Sequence, residues 1–357
     1  MKNFNRLGVL ACLLATLVLC AGCWGSSSAD EADGAVAKAE AGPNPGADVE
    51  GRPIVIGYSN WAGWWPWYIA EKEGFFEKHG LDVKLRWYDN YLESMEAFAA
   101  GELDGNTQTL NDTVSFAADA ANGEVAVLVT DNSAGDDKII VTADIQSVND
   151  LVGKKIGLEE GVVEDFLLTL ALLEAGLRRS DVEIVNMETG AAAAAFAGGE
   201  FDGVGTFPPF GLVALKREGS HELVTSANYP GAIPDLLVVS QTLIDKRPED
   251  VQKLIDVWFD VLGFMKVDSK RSEALMAERA GVSVEEVQLF EGGVRFFSIQ
   301  DNLNAFAPGE DMVHMSFAAN QMAQFMVAVG FIPAAPADFS VLFDDRFIKV
   351  YSDSLNH

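Results

Sequence analysis

Four tryptophans stand within one nine-residue stretch, Ser59-Asn60-Trp61-Ala62-Gly63-Trp64-Trp65-Pro66-Trp67, whose glycine and proline suit a loop. Indole faces attract planar or cationic groups. Trp61 and Trp64, with the Asn60 amide beside them, are therefore candidate ligand contacts. Core burial is the competing account, and it suits Trp67 at the start of the helix that follows. A second group, Gln108-Thr109-Leu110-Asn111-Asp112, offers amide, hydroxyl and carboxylate. Asn111 and Asp112 either touch a ligand or cap a helix running on through Val114 and Phe116.

Thr206, ahead of Phe207-Pro208-Pro209, belongs either to a rigid turn or to a cleft wall where its hydroxyl bonds a ligand. Glu160 follows Glu159 and precedes Gly161, with Glu164 and Asp165 close behind. Acids there complement a helix dipole, and Glu160 is also a candidate contact. Asp131-Asn132-Ser133-Ala134-Gly135-Asp136-Asp137 resembles a calcium loop only superficially. Its glycine is fifth rather than sixth, and the twelfth residue is Thr142 rather than a bidentate acid. Asp131 and Ser133 read as turn residues at a hinge that reach a cleft, and Asp235 faces the same cleft from the return segment.

Catalytic signals are absent from this list. His79, His221, His314 and His357 are scattered outside these loops, and the chain has no Gly-x-Ser-x-Gly elbow, His-Glu-x-x-His pair or phosphate-cradling glycine loop. No metal, cofactor or enzymatic activity is expected. No Lys or Arg occurs in 59–67, 108–112, 159–165 or 206–210. The expected ligand is therefore a neutral polar or cationic nitrogen compound rather than a bare inorganic oxyanion.

These loops need elements to hold them, and the chain supplies the same set twice. Ala97-Phe98-Ala99-Ala100-Gly101-Glu102-Leu103-Asp104-Gly105 returns as Ala195-Phe196-Ala197-Gly198-Gly199-Glu200-Phe201-Asp202-Gly203. Gly57 and Gly157, Gly80 and Gly176, Asp104 and Asp202 recur at offsets of 100, 96 and 98 residues. A long unit seen twice is not a solenoid; two α/β lobes with a cleft between them are expected. In each, strand, helix, strand, helix, strand implies parallel neighbours joined by right-handed crossovers. The spacing predicts strands over 54–56, 83–87 and 103–107 in the first lobe, with helices over 68–78 and 92–100. The second lobe repeats this, with strands at 155–158, 182–185 and 201–205 and a helix over 163–174. Lys138-Ile139-Ile140-Val141 and Asp235-Leu236-Leu237-Val238-Val239 read as the two hinge strands, and ligands belong outside the carboxyl ends of such sheets. Apolar residues at 251, 254, 255, 258, 259 and 262 predict a helix over 251–266, and a last long helix spans 312–329.

The start of the chain predicts a compartment. Lys2 and Arg6 precede an apolar run from Leu7 to Leu19, and Ala21-Gly22-Cys23 follows, so 1–22 reads as a secretory signal with Cys23 the lipidated first mature residue. Cys20 stands where an aliphatic or small residue is usual in such a signal. Residues 23–52 read as a flexible, lipid-held tether spanning on the order of 30 Å. Cleavage removes Cys12 and Cys20 and takes the net charge from −29 to −31, which argues against nucleic acid as a partner. Lobe 1 is expected over 53–142 and 237–357, with a helical C-terminal extension, and lobe 2 over 143–236.

Trp61-x-Gly63-x-x-Pro66, Ala70-Glu71-x-x-Gly74-Phe75-Phe76-x-x-x-Gly80-Leu81-x-Val83 and the Gly-Glu-x-Asp repeats together resemble one family, the solute-binding proteins of ABC importers for nitrate, sulfonates, taurine and thiamine-pyrimidine precursors. The resemblance covers about 53–240 and, more loosely, the C-terminus. It implies a type II periplasmic-binding fold that closes around a small nitrogen- or sulfur-containing organic solute. It further implies delivery to a permease and its ATPase by a membrane-anchored, extracytoplasmic monomer. Fungal pyrimidine-precursor synthases share that fold, but their cysteine-rich motif is missing here. A ligand-reporting partner of a membrane sensor is the remaining alternative.

Overall fold

Eleven strands occur among residues 49–355, the part of the chain that the computed structural model describes. In chain order they are β1 (Ile54–Tyr58), β2 (Val83–Trp87), β3 (Gly105–Thr109), β4 (Val125–Ser133), β5 (Lys138–Val141), β6 (Lys155–Leu158), β7 (Glu183–Asn186), β8 (Gly203–Thr206), β9 (His221–Thr225), β10 (Pro234–Val239) and β11 (Val294–Phe296). The signal, Cys23 and most of the tether lie outside the described residues. Two sheets form, in the orders β11-β4-β10-β3-β1-β2 and β7-β6-β8-β5-β9. β1 pairs in parallel with β2 and β3, and β6 does the same with β7 and β8. In the continuous apolar runs of β10 and β5, Leu236 to Val239 and Ile139 to Val141 are buried, as strands covered on both faces must be.

The duplication holds down to register. Ile56 faces Gly105 and Gly57 faces Asn106, while Ile156 faces Gly203 and Gly157 faces Val204. The repeated Gly-Glu-x-Asp has one job in both lobes. Asp104 accepts from the Val55 amide at 2.8 Å and returns its own amide to the Val55 carbonyl at 2.8 Å. Asp202 treats Lys155 in the same way, at 2.9 and 2.9 Å. Each aspartate thus clamps the start of its third strand to the first. Gly101 and Gly199 take the left-handed turn (φ 78° and 93°) that ends the preceding helices, a conformation that costs glycine little.

The hinge lies elsewhere than expected. Lys138–Val141 is β5, between β8 and β9 in the second sheet, and β10 lies between β4 and β3 in the first. The chain therefore crosses between lobes at 134–137 and 226–233, not at 142/143 and 236/237. The apolar run of β5 needs strand neighbours on both sides, which a bare connection would not provide. The two crossings are laced together. The Ser133 and Ser226 hydroxyls meet at 2.7 Å, the Gly135 amide donates to Ser226 Oγ at 2.8 Å, and the Ser226 amide donates to the Asp137 carbonyl at 2.9 Å. The third strands also begin two residues later than expected, because 103–104 and 201–202 are spent on the clamp.

All described residues belong to one compact unit. Trp67 is core, stacked on Phe76 at 6.3 Å and packed on Trp258 at 4.9 Å. Trp258 comes from the helix Pro248–Val267, which buries Val251, Leu254, Ile255 and Val261 on the predicted face. The helix expected over 68–78 is two, Pro66–Lys72 and Phe75–Lys78, parted where Gly74 turns left-handed at φ 70°. The C-terminus adds Met315–Val329 and an unanticipated helix, Arg346–Ser354, whose Tyr351 stacks on Phe259 at 4.8 Å. No described helix is long and apolar enough to cross a membrane.

Candidate functional site

The loop after β1 folds over a carboxylate. The Trp61 indole N–H donates to Asp131 Oδ1 at 2.9 Å, and Thr130 Oγ1 donates to Oδ2 at 2.9 Å. A Cβ on Gly63 would lie 2.3 Å from the Asp131 carboxyl atoms, so glycine is required for the carboxylate to nest against the loop. The Trp-x-Gly of the sequence is thus a socket for Asp131. β4 and β10 pair Asp131 directly with Asp235, so the two acids are neighbours across the ladder. Burial pushes Asp131 up to about 7. Asp235 rises well above the usual carboxylate range, first by burial and then by the charges of Asp131 and Asp137.

A second carboxyl pair faces it from the other lobe. Glu164, in the first turn of the helix Val163–Glu174, is completely buried, and neither of its oxygens receives an N–H or hydroxyl donor from the protein. Asp137 is the charged neighbour that acts on it most strongly. Gly205 makes the room: a Cβ there would fall 2.6 Å from Glu164 Cβ. Burial raises Asp137 to about 6, partly opposed by Ser133, Glu164 and Lys138. Glu164 goes well above its ordinary range, by burial and then the charges of Asp137 and Glu159. Lys138 is engaged elsewhere, 2.6 Å from Glu222.

Between Asp235 and Asp137 is a small, narrow cavity. Lobe 1 contributes Ser59, Asn60, Trp61, Trp64, Tyr91, Thr109 and Asp235, the first crossing contributes Asp137, and lobe 2 contributes Val163 and Phe207. None of these walls is Lys, Arg or His. Asp235 Oδ2, Ser59 Oγ and Trp64 Nε1, all buried, have no hydrogen-bond partner in the protein. A mouth opens between Asp89 and Glu93 of lobe 1 and Glu188 of lobe 2, also without a basic residue. Among the described residues no three acids, histidines or cysteines converge as a metal site requires.

Of the residues nominated from sequence, Asn60, Trp61, Trp64 and Asp235 line this cavity, and Asp131 stands directly behind Trp61. Asp112 lies behind Tyr91 and accepts from Tyr91 Oη at 2.9 Å, Thr109 Oγ1 at 2.7 Å and Asn111 Nδ2 at 2.8 Å, with burial raising it to about 7. The helix Leu110–Phe116 is capped by Thr109, not by Asn111 or Asp112. Thr206 is buried with its hydroxyl unpartnered, next to Phe207. Ser133 laces the hinge instead and borders a larger concavity beyond it, shared with Ser226, Pro230, Arg295 and Met312. Glu160 is half exposed and pairs with Arg179 at 2.8 Å. The turn at Gly161 leaves Glu164, rather than Glu160, pointing inward. Glu164, Asp137, Ser59, Tyr91, Thr109, Val163 and Phe207 were not nominated; the one signal for Glu164 was an apolar helix carrying an acid opposite a Gly-x-Gly strand.

Comparison with known proteins agrees with this architecture. The chain belongs to the NMT1/THI5-like family, which matches residues 61–268. A putative binding protein of Brucella abortus (strain 2308) is 28% identical over 230 residues, 63% of this chain and 71% of that protein. The taurine-binding periplasmic protein of Escherichia coli (strain K12) is 26% identical over 299 residues, 80% of this chain and 89% of that protein. Among solved structures, the periplasmic aliphatic sulphonate binding protein SsuA of Escherichia coli gives a TM-score of 0.67 at 20% identity, covering 82% of this chain and 91% of that chain. The desulfurization enzyme DSZB gives 0.58 at 18% identity, covering 85% and 99%. The fold is that of a two-lobed periplasmic binding protein.

Proposed function

We propose that this member of the NMT1/THI5-like family is the solute-binding component of an ABC importer, capturing a small nitrogen- or sulfur-containing organic solute between its lobes and presenting it to a permease and its ATPase. The observation that carries this reading is the small cavity, lined by Asp235, Asp137, Asn60 and Ser59, between two lobes that the described chain joins by two short, laced crossings. Such a joint permits closure, and a solute shifts it only by binding the closed form better. Relatives named as taurine- and sulfonate-binding proteins support the assignment. Small-angle scattering at solute saturation is expected to give a smaller radius of gyration than the ligand-free protein. Equal radii would remove the closing trap.

Anchoring belongs to the same proposal. Lys2, Arg6, the apolar run and Ala21-Gly22-Cys23 support a lipid on Cys23 that holds the protein at the outer side of a membrane. Mass spectrometry of the membrane fraction is expected to find a diacylated Cys23 at the mature terminus; an unmodified terminus within 24–52 rejects it.

The likeness to DSZB raises an enzymatic reading. Cys12, Cys20 and Cys23 all precede the described residues, and no histidine lines the cavity, so the binding assignment is favoured. Recovery of a chemically altered solute after incubation would decide for the enzyme.

A further inference from the structure

Building on solute capture, we infer that the cavity takes a small organic cation bearing N–H donors on more than one side, and not a sulfonate or other anion. Two buried carboxyl groups line one small space, Asp235 of the first sheet and Asp137 of the crossing, and each is backed by a second buried acid, Asp131 and Glu164 respectively. The acids alone would not define a ligand. The unpartnered atoms of the wall do, because Asp235 Oδ2, Asn60 Oδ1 and Ser59 Oγ can all accept. Asp235 Oδ2 lacks any donor at 1% exposure. A buried acceptor left unsatisfied is costly, and an N–H cation satisfies it with a charge-assisted bond.

The geometry also discriminates among cations. Acceptors lie on the first lobe, at Asp235, and on the crossing, at Asp137, so a ligand must present N–H groups on more than one side. A quaternary ammonium has none to offer. The described carboxylates do not converge on one point, which disfavours a bare metal ion. Trp61, Trp64 and Phe207 supply faces that attract a cation. Asp89, Glu93 and Glu188 at the mouth would concentrate cations and repel anions.

The two glycine sockets show that the acids are built in. Gly63 is needed for Asp131 and Gly205 for Glu164, and these residues belong to different lobes and different loops. A chain that merely tolerated buried carboxylates would need neither.

Titration calorimetry of the full mature protein tests the inference with methylguanidinium, 1,4-diaminobutane, tetramethylammonium, taurine, methanesulfonate and Zn²⁺. At least one of the first two is expected to bind 100-fold more tightly than tetramethylammonium or methanesulfonate. Asp137→Asn and Asp235→Asn should each weaken that binding 30-fold or more while leaving the ligand-free melting temperature unchanged or higher, which a scaffold role would not do. Tighter binding of taurine, methanesulfonate, tetramethylammonium or Zn²⁺ than of either N–H cation overturns the inference, as does full affinity in both variants. If taurine or methanesulfonate wins and scattering shows closure around it, solute capture stands and only the charge class fails. If no probe binds and none changes the radius of gyration, the inference is overturned and solute capture loses its support as well.

Discussion

Raising the pH from about 5 to 8 is expected to lower the melting temperature of the ligand-free protein by on the order of 10 °C, the reverse of ordinary acid lability. Burial lifts Asp137 to about 6 and Asp112, Asp131, Asp136 and Glu159 to about 7, and it also raises Glu124, Glu164 and Asp235 well above the ordinary carboxylate range. The same groups titrate near 4 in the unfolded chain. Between these values the native protein holds protons that the unfolded chain has released, so it is favoured by acid. That advantage is complete below about pH 4 and is lost as pH rises through 6 and 7. Lys138 is the basic residue that opposes it most directly, at Asp136 and Asp137. Outlying acids such as Asp144, Asp181 and Asp260 shift downward and withdraw their support only in stronger acid. Scanning calorimetry at pH 5, 6, 7 and 8 checks the trend, and a flat or rising series would contradict it.

Gly63→Ala and Gly205→Ala are expected to destabilise the fold by about 1 to 3 kcal/mol each and to abolish measurable solute binding. At Gly63 the added carbon would sit 2.3 Å from the Asp131 carboxyl, breaking either the Trp61 bond or the loop around it. At Gly205 it would meet the root of Glu164, 2.6 Å from Cβ, and Leu158 Cβ at 3.1 Å. A side-chain root cannot swing aside as a tip can. Gly263 is the matched control: it lies inside the helix Pro248–Val267 with nothing within 4 Å of an added Cβ. There alanine should be neutral or stabilise by about 0.5 to 1 kcal/mol. Urea midpoints and calorimetry on the three variants separate the cases. Equal stability of Gly63→Ala and Gly263→Ala would dissolve the socket argument.

Much of this architecture was legible because it is local or repeated. The echo at 97–105 and 195–203 announced two lobes, and the apolar period from 251 to 262 announced the long helix. The lack of Lys and Arg in four separated loops carries over to the cavity walls, none of which is basic. What escaped depends on distant pairing. Nothing near Asp235 in sequence says that β10 sets it beside Asp131, and nothing near Glu164 says that Gly205 makes its room. Glu160 and Glu164 look alike as acids at a helix start, yet one meets Arg179 at the surface and the other is sealed inside. The hinge was displaced for a similar reason, since a strand and a connection with the same β-branched run differ only in their neighbours.

The serine-laced crossings also carry a kinematic consequence. Ser133 and Ser226 tie the two connections hydroxyl to hydroxyl, so they flex as one pivot rather than two independent strings. Displacement in such a swing grows with distance from the pivot. Asp137 ends the first crossing and Asp235 is the second residue after the other, so both ride close to the axis of the proposed swing. Asn60, Glu93 and Glu188, at the mouth, lie on the swinging rim. Under the closing motion proposed above, an arriving solute is held at the axis while the rim is still open, and the rim acts as a latch whose opening sets how long the cargo stays.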